Sequence, residues 1–323
     1  MELYTDVARQ YADFALYAED SPCFRDWALR VAEDSELLAW IATLPPVKQQ
    51  PNLVFAAARW HDVRAPGPYS ALREALLADD GTIRATVLKR ATQTNEVGRL
   101  ATLTPFLAEL GPRLALLEVG ASAGLCLYPD RWSYAWSTPH RTVTAGSGPR
   151  LECEVTGPFP DQVTPPEVAW RGGIDLNPLD PTDRDAMAWL TTLVWPEQDD
   201  RRQRLEDAIA IARADPPHLV AGDLLETLPT LVEEAAGHAP VVVFHSAVIA
   251  YLEPDDRDRF ARMMSRLVEA GACRWISNEA PQVLPTVSAT AADGPDLPGR
   301  FVLGVDGLAR ARTHGHGASM VVL

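Results

Sequence analysis

Leu114-Ala-Leu-Leu-Glu-Val-Gly-Ala-Ser-Ala-Gly-Leu125 is the stretch on which the reading of the fold turns. Five apolar or β-branched residues around one acid make a buried strand, and five small residues then make a turn. The sequence predicts that this turn opens directly into a helix. Gly120 and Gly124 let the backbone turn and leave room for a ligand to approach it without a Cβ clash. A strand, a glycine turn and a helix also occur as plain architecture, so the neighbouring segments have to decide.

Downstream of residue 111 short β-rich runs alternate with amphipathic helical segments, the pattern of a parallel sheet covered by helices on both faces. Strands are predicted near 115–119, 171–175, 218–221, 241–245, 275–278, 301–305 and 318–323. Residues 129–169, rich in Pro, Gly, Thr and Trp, are too long for a crossover helix. They predict a β-rich insertion with Leu151-Glu-Cys-Glu-Val155 as one strand. Trp132, Tyr134 and Trp136 alternate within it as an aromatic face for internal packing, stacking or an interface. Upstream, apolar residues at three- and four-residue spacing predict an all-helical domain over 1–110 that acts as a lid or substrate domain, with Pro51–Trp60 as a buried helix. The sheet domain is then 111–323, and 283–300 reads as a surface loop.

Composition limits the function. A formal charge of −15 over 323 residues repels a phosphate backbone, so no nucleic acid partner is expected. Charges or prolines interrupt every apolar run before membrane-spanning length, so no membrane partner is expected either. The first twenty residues lack a secretory pattern, and the four cysteines form no CxxC pair, which predicts reduced thiols in a cytoplasmic protein. A small molecule is the expected substrate.

Two further acids follow predicted strands. In Arg171-Gly-Gly-Ile-Asp-Leu-Asn-Pro178, Asp175 can accept hydrogen bonds from both hydroxyls of a ribose. In Leu219-Val-Ala-Gly-Asp-Leu-Leu225, Asp223 can accept from an adenine amino group, with Leu224 beside the ring. Each aspartate equally fits a turn or a helix cap. Glu118-Val-Gly-Ala-Ser-Ala-Gly124, Gly173-Ile-Asp-Leu-Asn-Pro178 and Gly222-Asp223 resemble the successive cofactor motifs of class I S-adenosylmethionine-dependent methyltransferases. The resemblance spans about 111–323. It implies a Rossmann-like sheet of parallel strands with a reversed C-terminal strand, S-adenosyl-L-methionine as cofactor, and methyl transfer to a small molecule. It places Glu118, Gly120, Ala121, Ser122, Gly124, Asp175, Leu176, Asp223, Leu224 and His245 around the cofactor, with Glu118 on its amino-acid portion. Ser122 replaces the family's middle glycine, so it narrows the turn or adds a hydroxyl contact. The alternative is a non-catalytic S-adenosylmethionine- or nucleotide-binding sensor of the same fold. A dinucleotide dehydrogenase is disfavoured because Asp175 lies far beyond the usual spacing of about twenty residues, and GxxxxGK[ST] is absent.

The whole chain also resembles a bacterial family, domain of unknown function 2332. The resemblance rests on Gln93-Thr-Asn-Glu-Val97, Arg171-Gly-Gly-Ile-Asp-Leu-Asn-Pro-Leu-Asp180, Val194-Trp-Pro-Glu-Gln198 and Phe244-His-Ser-Ala-Val-Ile-Ala-Tyr-Leu252. It implies a shared architecture and no reaction.

Methyl transfer needs alignment and, for some acceptors, a base. His245 at the end of Val241-Val-Val-Phe-His-Ser246 is the first candidate base, with a structural histidine as the other reading. Glu279 in Trp275-Ile-Ser-Asn-Glu-Ala-Pro281 is the second, unless it pairs with an arginine. Tyr251 is read as substrate-binding or as packing. Gln93, Asn95, Glu96 and Arg99 are read as closing over cofactor or substrate, although Thr and Glu there also suit a helix cap. Trp195 and Glu197 line a pocket or pack a turn. His314-Gly-His316 has no third ligand, so no metal is expected.

Overall fold

The computed structural model describes residues 6–93, 95–291, 297 and 299–323. In chain order the helices α1 (Val7–Tyr17), α2 (Pro22–Glu33), α3 (Ser35–Ala42), α4 (Pro51–Trp60), α5 (Tyr69–Leu77), α6 (Thr82–Lys89) and α7 (Leu100–Leu110) precede β1 (Arg113–Val119). Next come β2 (Ser133–Ser137), β3 (Thr142–Gly146), β4 (Arg150–Thr156), β5 (Glu167–Asp175), α8 (Arg184–Leu193), α9 (Asp199–Ala214), β6 (His218–Ala221), α10 (Leu224–Ala236) and β7 (Val241–Ser246). The chain ends with α11 (Pro254–Glu269), β8 (Arg274–Glu279), α12 (Pro285–Ala289), β9 (Phe301–Val305), β10 (Leu308–Thr313) and β11 (Ser319–Val322).

Backbone contacts divide the chain into two compact units, Met1–Thr94 with Arg184–Glu206, and Asn95–Asp183 with Asp207–Leu323. The first is helical. Its core is aromatic: Phe55 meets Tyr11, Phe24 and Trp27 edge-on at 5.8, 5.1 and 5.5 Å, and Trp195 joins them through Phe14. Residues 184–206 belong here because Arg59 Nη1 donates to the carbonyls of Thr192 (2.7 Å) and Val194 (2.6 Å), and Trp189 Nε1 donates to Ala91 O (2.9 Å). The helical region drawn from sequence over 1–110 therefore divides elsewhere. α7 lies in the second unit, where Ala101 O accepts from Trp136 Nε1 (2.7 Å) and Thr104 donates to the Tyr134 hydroxyl (3.0 Å).

The second unit is mixed α/β around a large, mostly parallel sheet. Among the described residues it has eleven strands in the order β3-β2-β4-β11-β10-β9-β8-β7-β1-β5-β6. From β6 to β8 all neighbours are parallel, and β9, β10 and β11 then run antiparallel in succession. Ala115, Leu117 and Val119 share a buried cluster with α10 and α11 residues such as Leu228, Val232, Phe260 and Met264. Strand alternation puts Leu114, Leu116 and Glu118 on the opposite face.

Three expectations need correction. No helix follows the glycine turn: after Gly120 the chain stays in turns to a one-turn 3-10 helix, Pro129–Arg131, and then enters β2. Arg171 supplies a reason, since its buried guanidinium fixes this non-helical segment by donating to Leu127 O (2.6 Å) and Asp130 (2.7 Å) while lying 4.6 Å over the Tyr128 ring. The terminal strands are three rather than a pair, because β10 was not foreseen. Asp306 and Gly307, at φ +49° and +83°, make the tight turn that pairs β10 with β9. The insertion joins the same sheet through β4 and β11. In the expected loop at 283–300, Val283, Leu284 and Val287 are buried at and within α12; positions 292–296 and 298 lie outside the described residues. The aromatic alternation is internal packing, with the Tyr134 and Trp136 rings stacked at 5.0 Å.

Candidate functional site

In the sheet β1 lies between β5, which the chain reaches only after forming β2, β3 and β4, and β7, which it reaches after β6, so the order of the parallel strands reverses at β1. Side-by-side parallel strands whose connections diverge leave a crevice beyond their carboxyl ends, where open α/β sheets bind ligands. Glu118 ends one such strand, in register with Gly173 of β5 and Phe244 of β7. Asp175 and Ser246 end its neighbours β5 and β7, and Glu279 ends β8, the strand beyond β7.

The turn after β1 is fixed by hydrogen bonds to β5 and to the segment before α7. The N–H groups of Gly120 and Ala121 both donate to Ile174 O, at 2.8 and 3.1 Å. Ser122 N–H donates to Asp175 Oδ2 (2.9 Å), and Asn177 N–H donates to Oδ1 (2.8 Å). Asn95 closes the turn: its Nδ2 donates to Ser122 Oγ (2.9 Å) and its Oδ1 accepts from Ala123 N–H (3.3 Å). The structure thus brings together Asn95, Ser122 and Asp175, and the Ser122 hydroxyl that departs from the family pattern is tied to protein.

The glycines serve the chain itself. Gly120 has φ +70°, and a Cβ on it would lie 2.5 Å from Val248 Cγ2. Gly124 has φ +67°, and its Cβ would meet Pro217 at 2.9 Å and Leu219 at 3.1 Å. The room read from sequence as space for a ligand is filled by these side chains.

Glu118 is electrostatically unusual. No described residue hydrogen-bonds its carboxyl, and Oε2 is enclosed without a partner. Burial first, then the nearby Asp175 charge, push this carboxyl well above the ordinary carboxylate range, and Arg99 pulls it partly back. Arg99 is held by Gly315 O and Ser246 O, both at 2.8 Å.

His245 does not reach the crevice. It is wholly buried, and Trp275 Nε1–H donates to its Nε2 (3.1 Å). Because indole can only donate, Nε2 carries a lone pair and the proton sits on Nδ1, which donates to Glu279 Oε1 (2.7 Å). The imidazole is therefore neutral with both nitrogens engaged, which leaves the expected base no free lone pair. Glu279 Oε1 also accepts from Val248 and Ile249 N–H, at 3.0 and 3.1 Å, so this residue anchors the loop after β7 rather than pairing with an arginine. Its Oε2 is enclosed without a partner.

The other expected residues divide between exposed and structural positions. Leu176 and Tyr251 are large apolar groups left 74% and 66% exposed at the ends of β5 and after β7. Asp223 is exposed and caps α10 through Leu225 N–H (2.7 Å), while Leu224 packs partly on the core. Glu96 caps a one-turn helix through Gly98 N–H (3.2 Å), with its Oε2 3.3 Å from His316 Nδ1. Gln93 belongs to the helical unit. There too, Glu197 caps α2 by accepting from Cys23 N–H (2.8 Å) and from the Ser21 hydroxyl, and Trp195 donates to Asn52 (3.0 Å). The four cysteines are free and buried. Among the described residues no three or more His, Cys, Asp or Glu side chains could hold a metal ion, and no helix is long and apolar enough to cross a membrane.

Sequence reasoning missed Arg171, Val248 and Trp275. Arg171 opened a quoted motif, yet its partners Leu127, Asp130 and Asp215 are distant in sequence and lacked any local signal. A search of curated proteins found no match. The sequence model of a family described as an uncharacterized protein conserved in bacteria (DUF2332) matches residues 8–321. With nearly its whole length matched, the chain belongs to that family.

Proposed function

We propose that the protein is an S-adenosyl-L-methionine-dependent methyltransferase acting on a small molecule, with a Rossmann-like sheet from β6 to β9. One observation carries the reading: Glu118, near the end of the strand at which the order of the parallel strands reverses, has an enclosed carboxyl oxygen that no described residue hydrogen-bonds. Buried polar atoms are ordinarily paired, so an orphan in such a crevice fits the ammonium end of an amino-acid-bearing nucleoside. The acidic set fits the cofactor. Asp175 keeps a second lone pair on each oxygen for ribose hydroxyls, Asp223 is exposed for an adenine amino group, and Leu176 offers an apolar surface. The filled space at Gly120 does not fit, and contact there requires Val248 to move.

The cofactor supplies an activated methyl carbon when bound. The chain's residues then align an acceptor against it, with Tyr251, Asn95, Glu96 and Arg99 as rim groups. Since His245 is neutral and engaged, transfer by this protein relies on positioning, or on an acceptor that needs no base there. The same observation favours a second reading, a non-catalytic sensor that binds the cofactor without transferring it. A cytoplasmic site of action, with no nucleic acid or membrane partner, completes the proposal.

Calorimetric titration with S-adenosylmethionine and S-adenosylhomocysteine tests it, with Asp175→Ala as control. Micromolar binding that is lost in the variant supports the cofactor; no binding by the intact protein overturns it. Methyl transfer in an acceptor screen separates enzyme from sensor.

A further inference from the structure

We propose that the ligand of this crevice enters with release of one proton, its ammonium group taking the place of the proton on the Glu118 carboxyl. The inference rests on the cofactor reading and adds to it how the site is regulated and which part of the ligand it senses. Two carboxyls, Glu118 and Asp175, end adjacent strands, and their surroundings treat them differently. Asp175 accepts N–H groups from Ser122 and Asn177 on its two oxygens. Glu118 accepts none among the described residues, and its Oε2 is enclosed.

The charged and titratable groups that act on Glu118 are Asp175 from β5 and Arg99 from the segment before α7. Cys126 in the turn after β1 is coupled to Glu118, Arg99 and Glu96, and its thiol is raised by burial. Arg99 is already committed to Gly315 O and Ser246 O. Burial and the neighbouring Asp175 carboxyl disfavour the charged form of Glu118, and Arg99, committed elsewhere, offsets them only in part, so the enclosed carboxyl lacks a counter-charge of its own. An arriving ammonium supplies the missing cation. The carboxyl O–H bond breaks, the proton passes to solvent, and ammonium N–H groups donate to the carboxylate, so the new negative charge on Glu118 is balanced by the ammonium it faces.

Two consequences follow. While Glu118 is protonated in the free protein, affinity for an ammonium-bearing nucleoside rises by up to tenfold per pH unit. A nucleoside without the amino-acid part gains nothing from the exchange and shows no such slope.

The test titrates wild-type protein with S-adenosylhomocysteine and with methylthioadenosine, which lacks the amino-acid group, from pH 6 to 8 in phosphate and in Tris. The inference expects S-adenosylhomocysteine enthalpies that differ between the buffers by the difference in their protonation enthalpies, corresponding to about one proton taken up by buffer per site, a difference absent for methylthioadenosine and for Glu118→Gln with S-adenosylhomocysteine. Binding with equal enthalpies in both buffers overturns the inference and leaves the cofactor reading standing. Absence of binding by S-adenosylmethionine and S-adenosylhomocysteine overturns both. If Glu118→Gln fails to fold, the comparison of the two nucleosides on wild-type protein still decides.

Discussion

Replacing Gly120 by alanine separates a glycine kept for a ligand from one kept for the chain. At φ +70° an L-residue costs about 1–2 kcal/mol relative to its ordinary region. The added Cβ would sit 2.5 Å from Val248 Cγ2 and 3.0 Å from Val248 Cβ, so rotating the valine cannot remove the overlap. Its backbone cannot retreat freely either, since Val248 and Ile249 N–H are held by Glu279 Oε1 at 3.0 and 3.1 Å. Overpacking of this kind costs about 1–3 kcal/mol. Gly120→Ala is therefore expected to destabilise the ligand-free protein by about 2–5 kcal/mol, read from urea unfolding followed by tryptophan fluorescence. Adding Val248→Ala relieves the Cγ overlap but not the dihedral cost. The double-mutant cycle should then show a coupling of about 1 kcal/mol or more. A loss below about 0.5 kcal/mol for Gly120→Ala, with no coupling, would refute the reasoning and return the glycine to the ligand.

Nitrogen-15 NMR of the histidines should find His245 as the neutral Nδ1–H tautomer at pH 7, and a proton on Nε2 would contradict its hydrogen bond from Trp275. His245→Ala leaves that indole N–H without its acceptor and Glu279 with one donor fewer, so a loss of about 3 kcal/mol or more is expected in the same unfolding assay. For Glu118 the sign is set by its raised folded-state value: its contribution is fully present below the ordinary carboxyl range and is lost as pH rises through the raised one. Wild-type unfolding midpoints should consequently fall between pH 5 and pH 8 more steeply than those of Glu118→Gln, and a steeper fall in the variant would sink the assignment. Leu176→Ala and Tyr251→Ala touch exposed groups, so each should shift stability by no more than about 0.5 kcal/mol. Each should also weaken S-adenosylhomocysteine binding at least fivefold if these residues line the site; unchanged affinity in both variants would remove them from it.

Much of the fold is legible in local pattern. The apolar runs ending in Glu118 and His245 read correctly as buried parallel strands, because a strand covered on both faces must be apolar almost throughout. The β10 strand was missed although Asp306-Gly307 announced its turn. The absent helix after Gly120 was not legible at all, because small residues such as Ala121, Ser122, Ala123 and Gly124 serve a turn as well as a helix start, and the deciding force is Arg171.

The sequence by itself determined which residues end the strands and which of those are acids, since both depend on composition at neighbouring positions. Only the tertiary structure decided what those residues do. Asp175 became a turn acceptor, Asp223 a helix cap and His245 a buried, neutral link between Trp275 and Glu279, while Glu118 Oε2 was left without a hydrogen-bond partner among the described residues. A side chain's chemistry follows from its hydrogen-bond partners and its access to water, and for Asp175, His245 and Glu118 part or all of that environment is supplied by segments far away in the chain.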